Sequence, residues 1–281
     1  MSDLAIRPLE AEAPPEVRRR AGFRGRLLVL LLQIAVVGLF LAIWQIAVSS
    51  GLIDKFWVSS PEDIVKRLWQ FRNTVGSTIP GGIWSHVVAT FQEALVGLAI
   101  GSTSGIVIGL ILGQWRLLAE ALHPLLNLAN TLPRVALGPL FILWFGIGQT
   151  SKMTLVFTVV VFILIFNTYA GVLTVDRELV AVAHLLGAKW YHVLWKITLP
   201  WCVPWIIAGM RIALAWSLGA AVVGEYLGAR EGVGYLIFTF SNILDNTGVL
   251  AGCVVLLIMS WVMFGVLTVI EKRLLRWRVH T

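Results

Sequence analysis

The sequence predicts an all-α chain that crosses a membrane six times. Hydrophobic residues make up 58% of its 281 residues and charged residues only 13%, with a mean hydropathy of +0.85. Soluble domains carry about 25% charge, so a chain this poor in charge needs a solvent other than water. Stretches 27–53, 153–175 and 246–270 carry no charge at all. Each is long enough for a bilayer core about 30 Å thick, which takes about 20 apolar residues in a helix. Lys and Arg, finally, gather on alternate connections. These observations exclude a soluble enzyme, a disordered protein and a nucleic-acid module, in spite of a net charge of +7.

The elements follow in chain order. Residues 1–26 are polar, with Pro14-Pro15 and five arginines from Arg18 to Arg26, and form a basic tail at the membrane surface. The first span, 27–49, has an apolar run too long for the core of a secretory signal. Ser59-Ser60-Pro61-Glu62 then opens a short helix, with a serine cap, proline at its first position and acids in its first turn. The second span, 83–113, is interrupted by Glu93 and carries Gly97, Gly101, Gly105, Gly109 and Gly113, one every four residues. That row lacks side chains, so another helix can approach along it; the glycines are read as a packing seam. The third span, 117–147, contains Pro124, Pro133, Arg134 and Pro139; it counts as one of six spans, with a broken or re-entrant helix as the alternative. Spans at 152–175, 198–227 and 246–271 complete the membrane region of 27–275, and 276–281 form a short tail. Cys202 and Cys253 lie in apolar stretches and read as small buried hydrophobes.

Orientation follows from the basic residues. With the N-terminus inside, cytoplasmic segments hold fourteen Lys and Arg. The outer segments hold six, namely Lys55, Lys66, Arg67, Arg72, Lys152 and Arg230. Both termini then come out cytoplasmic.

Residues 176–196, between the fourth and fifth spans, are too polar to cross and too patterned for a loop. Glu178, Ala181, His184 and Leu185 share a helical face, and Gly187 stands where a helix-ending residue belongs. A second short helix follows from Lys189. The segment, about 177–191 for its helix, reads as a surface knob for a soluble partner, or as an interfacial amphipathic helix.

Here a resemblance becomes specific. Ala181-Val182-Ala183, three residues, Gly187, nine residues, then Ile197-Thr198-Leu199-Pro200 resembles the EAA motif of bacterial ABC importer permeases. Pro133-Arg134-Val135-Ala136-Leu137-Gly138-Pro139-Leu140, Leu143-Trp144-Phe145-Gly146-Ile147-Gly148, Ser151-Lys152, Asn167-Thr168, Gly209-Met210-Arg211-Ile212-Ala213-Leu214, Glu225 and Gly232-Val233-Gly234-Tyr235 are similar to the nitrate/sulfonate/taurine-type branch. The resemblance covers about residues 30–275. It implies a type I importer permease in the cell inner membrane, working as a homodimer above two cytoplasmic ATP-binding subunits, with an extracytoplasmic binding protein delivering cargo. The motif would be the coupling helix, with Glu178, Ala181, His184, Leu185, Gly187 and Lys189 at the ATPase. The family often has glutamate where Ala181 stands, so a polar contact there is either absent or supplied by Glu178 or Lys189. ATP and Mg would sit on the partner; this chain has no G-x-x-x-x-G-K-[ST] loop, no cofactor site and no catalytic constellation. His86, His123, His184, His192 and His280 are scattered, without metal spacing.

Arg134, Arg211 and Glu93 are charges within spans, each costing at least about 2.5–3.5 kcal/mol at mid-bilayer. Two readings stand: a structural ion pair between Glu93 and one arginine, or an arginine lining an anion pathway. Glu225, Arg230 and Glu231 read as binding-protein contacts at the outer mouth. The competing functions are a secondary transporter, for which no inverted repeat is visible, and a membrane-embedded enzyme.

Overall fold

The computed structural model describes residues 23–72 and 82–275. The tails read at 1–26 and 276–281 fall largely outside the described residues, as does His280. What is described is all-helical. It runs α1 (Phe23–Ser49), α2 (Pro61–Arg72), α3 (Gly82–Gln114), α4 (Arg116–Thr131), a 3-10 turn (Arg134–Leu137), α5 (Gly138–Phe145), α6 (Gln149–Leu173) and α7 (Arg177–Leu185). Then come α8 (Trp190–Val193), a π turn (Leu194–Thr198), α9 (Leu199–Leu227), α10 (Val233–Asn242) and α11 (Asn246–Leu274). Among the described residues five stretches are long and apolar enough to cross a membrane, and a sixth is made by α4 with the 3-10 turn and α5.

That sixth element is bent by 79°. The cause is local: Leu132 is extended, with ψ 129°, as a residue before proline must be, and Pro133 cannot continue the helix. The bend carries Arg134 back to the level of Phe162, near the middle of α6, rather than on toward the outer half as a continuous helix would.

Helix α6 is the centre of the bundle. The glycine row of α3 lies against it: a Cβ on Gly97 would fall 2.5 Å from the Val156 Cβ, on Gly101 2.9 Å from Val160, on Gly105 2.6 Å from Leu164 and on Gly109 2.7 Å from Thr168. The partners repeat every four residues too, so two rows of the same pitch mesh along the seam. On its other side α6 meets α9 by the same device: a Cβ on Gly209 would lie 2.8 Å from Asn167, and one on Gly171 2.9 Å from Trp205.

The short helix α2 begins at Pro61 with the Ser60 Oγ accepting from the Asp63 N–H at 3.2 Å. Its Ile64 and Phe71 pack on Leu236, Phe240 and Ala251, and Arg67 pairs with Asp245. Asp245 also caps α11, accepting from the Gly248 N–H at 2.9 Å. Helix α1, by contrast, leaves its membrane-length apolar surface unburied; lipid or another chain must cover it. Helices α6 and α11 end at the same end of the bundle as α7, and α1 begins there; α10 and the start of α6 mark the opposite end.

Candidate functional site

Three features stand out. The first is an open groove of about 430 Å³ between the proline break, α6 and α9. Its walls are apolar, with Val135, Val159, Ile163, Ile212 and Trp216 among them, and Arg134 is the charged residue in the lining. The guanidinium lies 4.9 Å from the Phe162 ring centroid, in range of a cation–π contact. Its terminal nitrogen donates to the side chain of Asn130, one turn back in α4. The Arg134 Nε is buried, and no acceptor among the described residues reaches it. No carboxylate pairs with Arg134 among the described salt bridges.

The second feature is a polar cluster buried at the α10 end. The Lys152 Nζ donates to the Glu93 Oε1 at 3.0 Å, with both side chains inside the protein. Beside them the Glu225 Oε1 accepts from the Thr90 hydroxyl at 2.6 Å, and its Oε2 from the Gly234 N–H at 2.5 Å. Thr90 Oγ1 in turn accepts from the Val233 N–H at 2.8 Å, and His86 Nδ1 from the Gly232 N–H at 3.0 Å. The start of α10 is thus tied to α3 and α9 by side chains that replace the missing helical partners of its first amides. Gly232 has φ +121°, a conformation that side-chain-bearing residues rarely adopt, and a Cβ there would collide with the Glu225 carboxyl.

This cluster corrects three expectations. Glu93 pairs with neither arginine; its cation is Lys152, which begins α6 and is buried rather than placed in an outer loop. Arg211 pairs with Glu271 in the last turn of α11 rather than with Glu93, and is half-exposed. Glu225 is 1% exposed and offers nothing to an outside partner, whereas Arg230 and Glu231 are exposed. The signal that could have found Lys152 was Glu93 itself: an acid inside a span calls for a cation, and Lys152 is the first residue of a span.

The third feature is α7. Asp176 caps it by accepting from the Glu178 N–H at 2.9 Å, and Gly187 ends it at φ +80°. Nothing in α7 is buried, although Val182, Leu185 and Leu186 are 52%, 86% and 83% exposed.

Comparison with known proteins decides between the readings. Residues 105–276 match the family described as binding-protein-dependent transport system inner membrane component. The chain belongs to this family. It is similar to a Bacillus subtilis (strain 168) permease protein named for aliphatic sulfonates transport, at 30% identity over 85% of this chain and 84% of the other. It is also similar to the taurine transport system permease protein of Escherichia coli (strain K12), at 28% over 88% and 89%, and to the riboflavin transport system permease protein of Chloroflexus aurantiacus, at 30% over 85% and 87%. Among solved structures, a chain of the inward-facing MetNI methionine ABC transporter superposes with a TM-score of 0.57 at 19% identity, over 69% of this chain and 94% of that one; this likeness is one of fold. The protein is therefore a permease subunit of an ABC importer, in the sulfonate/taurine-type branch. It is an inner-membrane component that works with an ATPase and a substrate-binding protein, and ATP hydrolysis belongs to the separate ATPase subunit. Nothing supports the secondary-transporter reading.

Proposed function

We propose that this permease forms, with a second copy of itself, the path by which an organic anion such as a sulfonate enters the cell. Two cytoplasmic ATP-binding subunits, carrying ATP and Mg, dock on α7, and an extracytoplasmic binding protein meets the opposite end at Arg230 and Glu231. Both termini are cytoplasmic in this reading, on the side of α7, as the excess of Lys and Arg there requires.

The observation that carries it is the exposure of α7. A capped nine-residue helix outside the spans, with Val182 and Leu185 uncovered, offers an apolar surface to a soluble partner. Ala181, His184 and Leu185 would enter the ATPase, with Glu178 and Lys189 at the margin. Gly187→Val tests this. The position is open, with nothing within 4 Å of an added Cβ, but a β-branched residue resists φ +80°. The folded permease is expected to insert normally while uptake falls and ATP hydrolysis becomes independent of cargo-loaded binding protein. Normal coupling would remove α7 from the docking site.

The anion reading rests on Arg134. A cation in the lining of an apolar groove, with no carboxylate pairing it among the described residues, can offer charge-assisted hydrogen bonds to a passing sulfonate or carboxylate. Losing a charge-assisted bond worth about 1.5–3 kcal/mol predicts that Arg134→Gln lowers uptake by about tenfold or more in proteoliposomes. Unchanged uptake would exclude Arg134 from the path. Arg211, neutralised by Glu271, is expected to matter less.

A further inference from the structure

Helix α4 carries its polar side chains in one row. Arg116, Glu120, His123, Asn127 and Asn130 stand four, three, four and three residues apart, on a single helical face. They join in successive pairs. The Arg116 Nε donates to the Glu120 Oε1 at 2.7 Å, the Asn127 Nδ2 lies 3.1 Å from the His123 Nδ1, and Arg134, just past the break, donates to the Asn130 side chain. All five residues of the row are exposed. The other faces of α4 differ from it. Ala119, Leu122 and Leu126 pack toward Val161 and Ile165 of α6, and Leu117, Leu125 and Leu128 are exposed and apolar, as a lipid-facing surface must be.

The row also has a direction. Gly113, at the end of α3, abuts Val172, at the end of α6, so α4 starts at the α7 end of the bundle. From there His123 reaches Phe166 and Tyr169, with ring centroids 6.2 and 5.9 Å away, and Arg134 reaches Phe162. The row therefore leads from the α7 end into the Arg134 groove. Amide and imidazole edges facing hydrocarbon are costly, and an asparagine side chain has more hydrogen-bonding positions than one bond within the row engages. Water, not lipid, suits this face.

We propose that the polar row of α4 is one wall of a water-filled passage joining the Arg134 groove to the α7 end. His123, Asn127 and Asn130 offer hydrogen bonds to a solute that has left Arg134. Arg116 and Glu120 pair at the mouth, so the row presents no second bare cation to hold an anion back. This rests on the reading of the Arg134 groove as part of the path and adds the route out of it.

Thiol labelling tests the passage without any cargo. Inside-out membrane vesicles carry the permease with Cys253→Ala; Cys202 is buried. Asn127→Cys and Asn130→Cys are expected to react with a charged, membrane-impermeant methanethiosulfonate, and Leu125→Cys, on the lipid face of the same helix, is not. Ile163→Cys, in the groove, should react from the same side, and adding Asn127→Trp should slow that reaction. Unreactive Asn127→Cys and Asn130→Cys overturn the proposal, as does a Leu125→Cys that reacts as fast as they do. An Ile163→Cys that does not react, or whose reaction Asn127→Trp leaves unchanged, overturns it too, because α4 would then lie outside the passage. Labelling reads water access alone. If it succeeds while Arg134→Gln leaves uptake unchanged, the passage stands and only the anion reading falls.

Discussion

Replacing Lys152 with methionine is expected to destabilise the permease by about 3–5 kcal/mol, the usual cost of removing one partner of a buried ion pair. Methionine fills much of the lysine stem's volume, so the packing of that stem against Gly224, 3.1 Å from an added Cβ, is largely kept. What is lost is the only cation of the cluster among the described residues. The buried Glu93 carboxylate is left without its cation, with the equally buried Glu225 on the Thr90 hydroxyl one turn away along α3. The effect should be read as a large drop in melting temperature and in folded yield from the membrane. The double change Lys152→Met with Glu225→Gln should recover part of the loss, because it also removes the stranded charge. A melting temperature equal to the wild type would mean that water reaches the cluster.

Gly105→Leu is expected to cost about 3 kcal/mol or more, at the upper end of overpacking. Leucine suits a helix as well as any large residue, so the effect is one of contact and not of helix propensity. Its Cβ would stand 2.6 Å from the Leu164 Cβ and 2.6 Å from the carbonyl oxygen of Val161. The second neighbour is backbone and cannot rotate away, so α3 and α6 must separate along their length. In lipid no hydrophobic gain holds two separated helices together. Gly265→Leu in α11 is the control: nothing lies within 4 Å of an added Cβ there, and the folded yield should be unchanged. Equal yields for both variants would mean that the glycine row is not a tight seam.

Sequence alone went furthest where a property is local or periodic. Charge-free runs mark spans because the bilayer accepts nothing else. The four-residue glycine spacing marks a seam because it lies on one face of a helix whatever the partner, and α3 and α6 do meet there. Pro133 marks a break because the residue before a proline cannot stay helical. The Ser60 cap and Gly187 are likewise set by backbone rules that act within a few residues. The family was also legible, from spacings in the stretch between α6 and α9.

Tertiary structure decided which charges meet. Glu93 and Lys152 are 59 residues apart and Thr90 and Glu225 are 135 apart. No periodicity within one helix records which residue of another helix lies at the same depth. The sequence determined that an acid in α3 needed a cation; only the packing of α3 on α6 chose Lys152 over two arginines, sent Arg211 to Glu271, and turned Glu225 inward. It also left Arg134 without a carboxylate partner, because the 79° bend places it over Phe162 rather than beside an acid. The physical reason is the same throughout: helix formation is a property of short segments, whereas the balance of buried charge is a property of the space that several segments enclose.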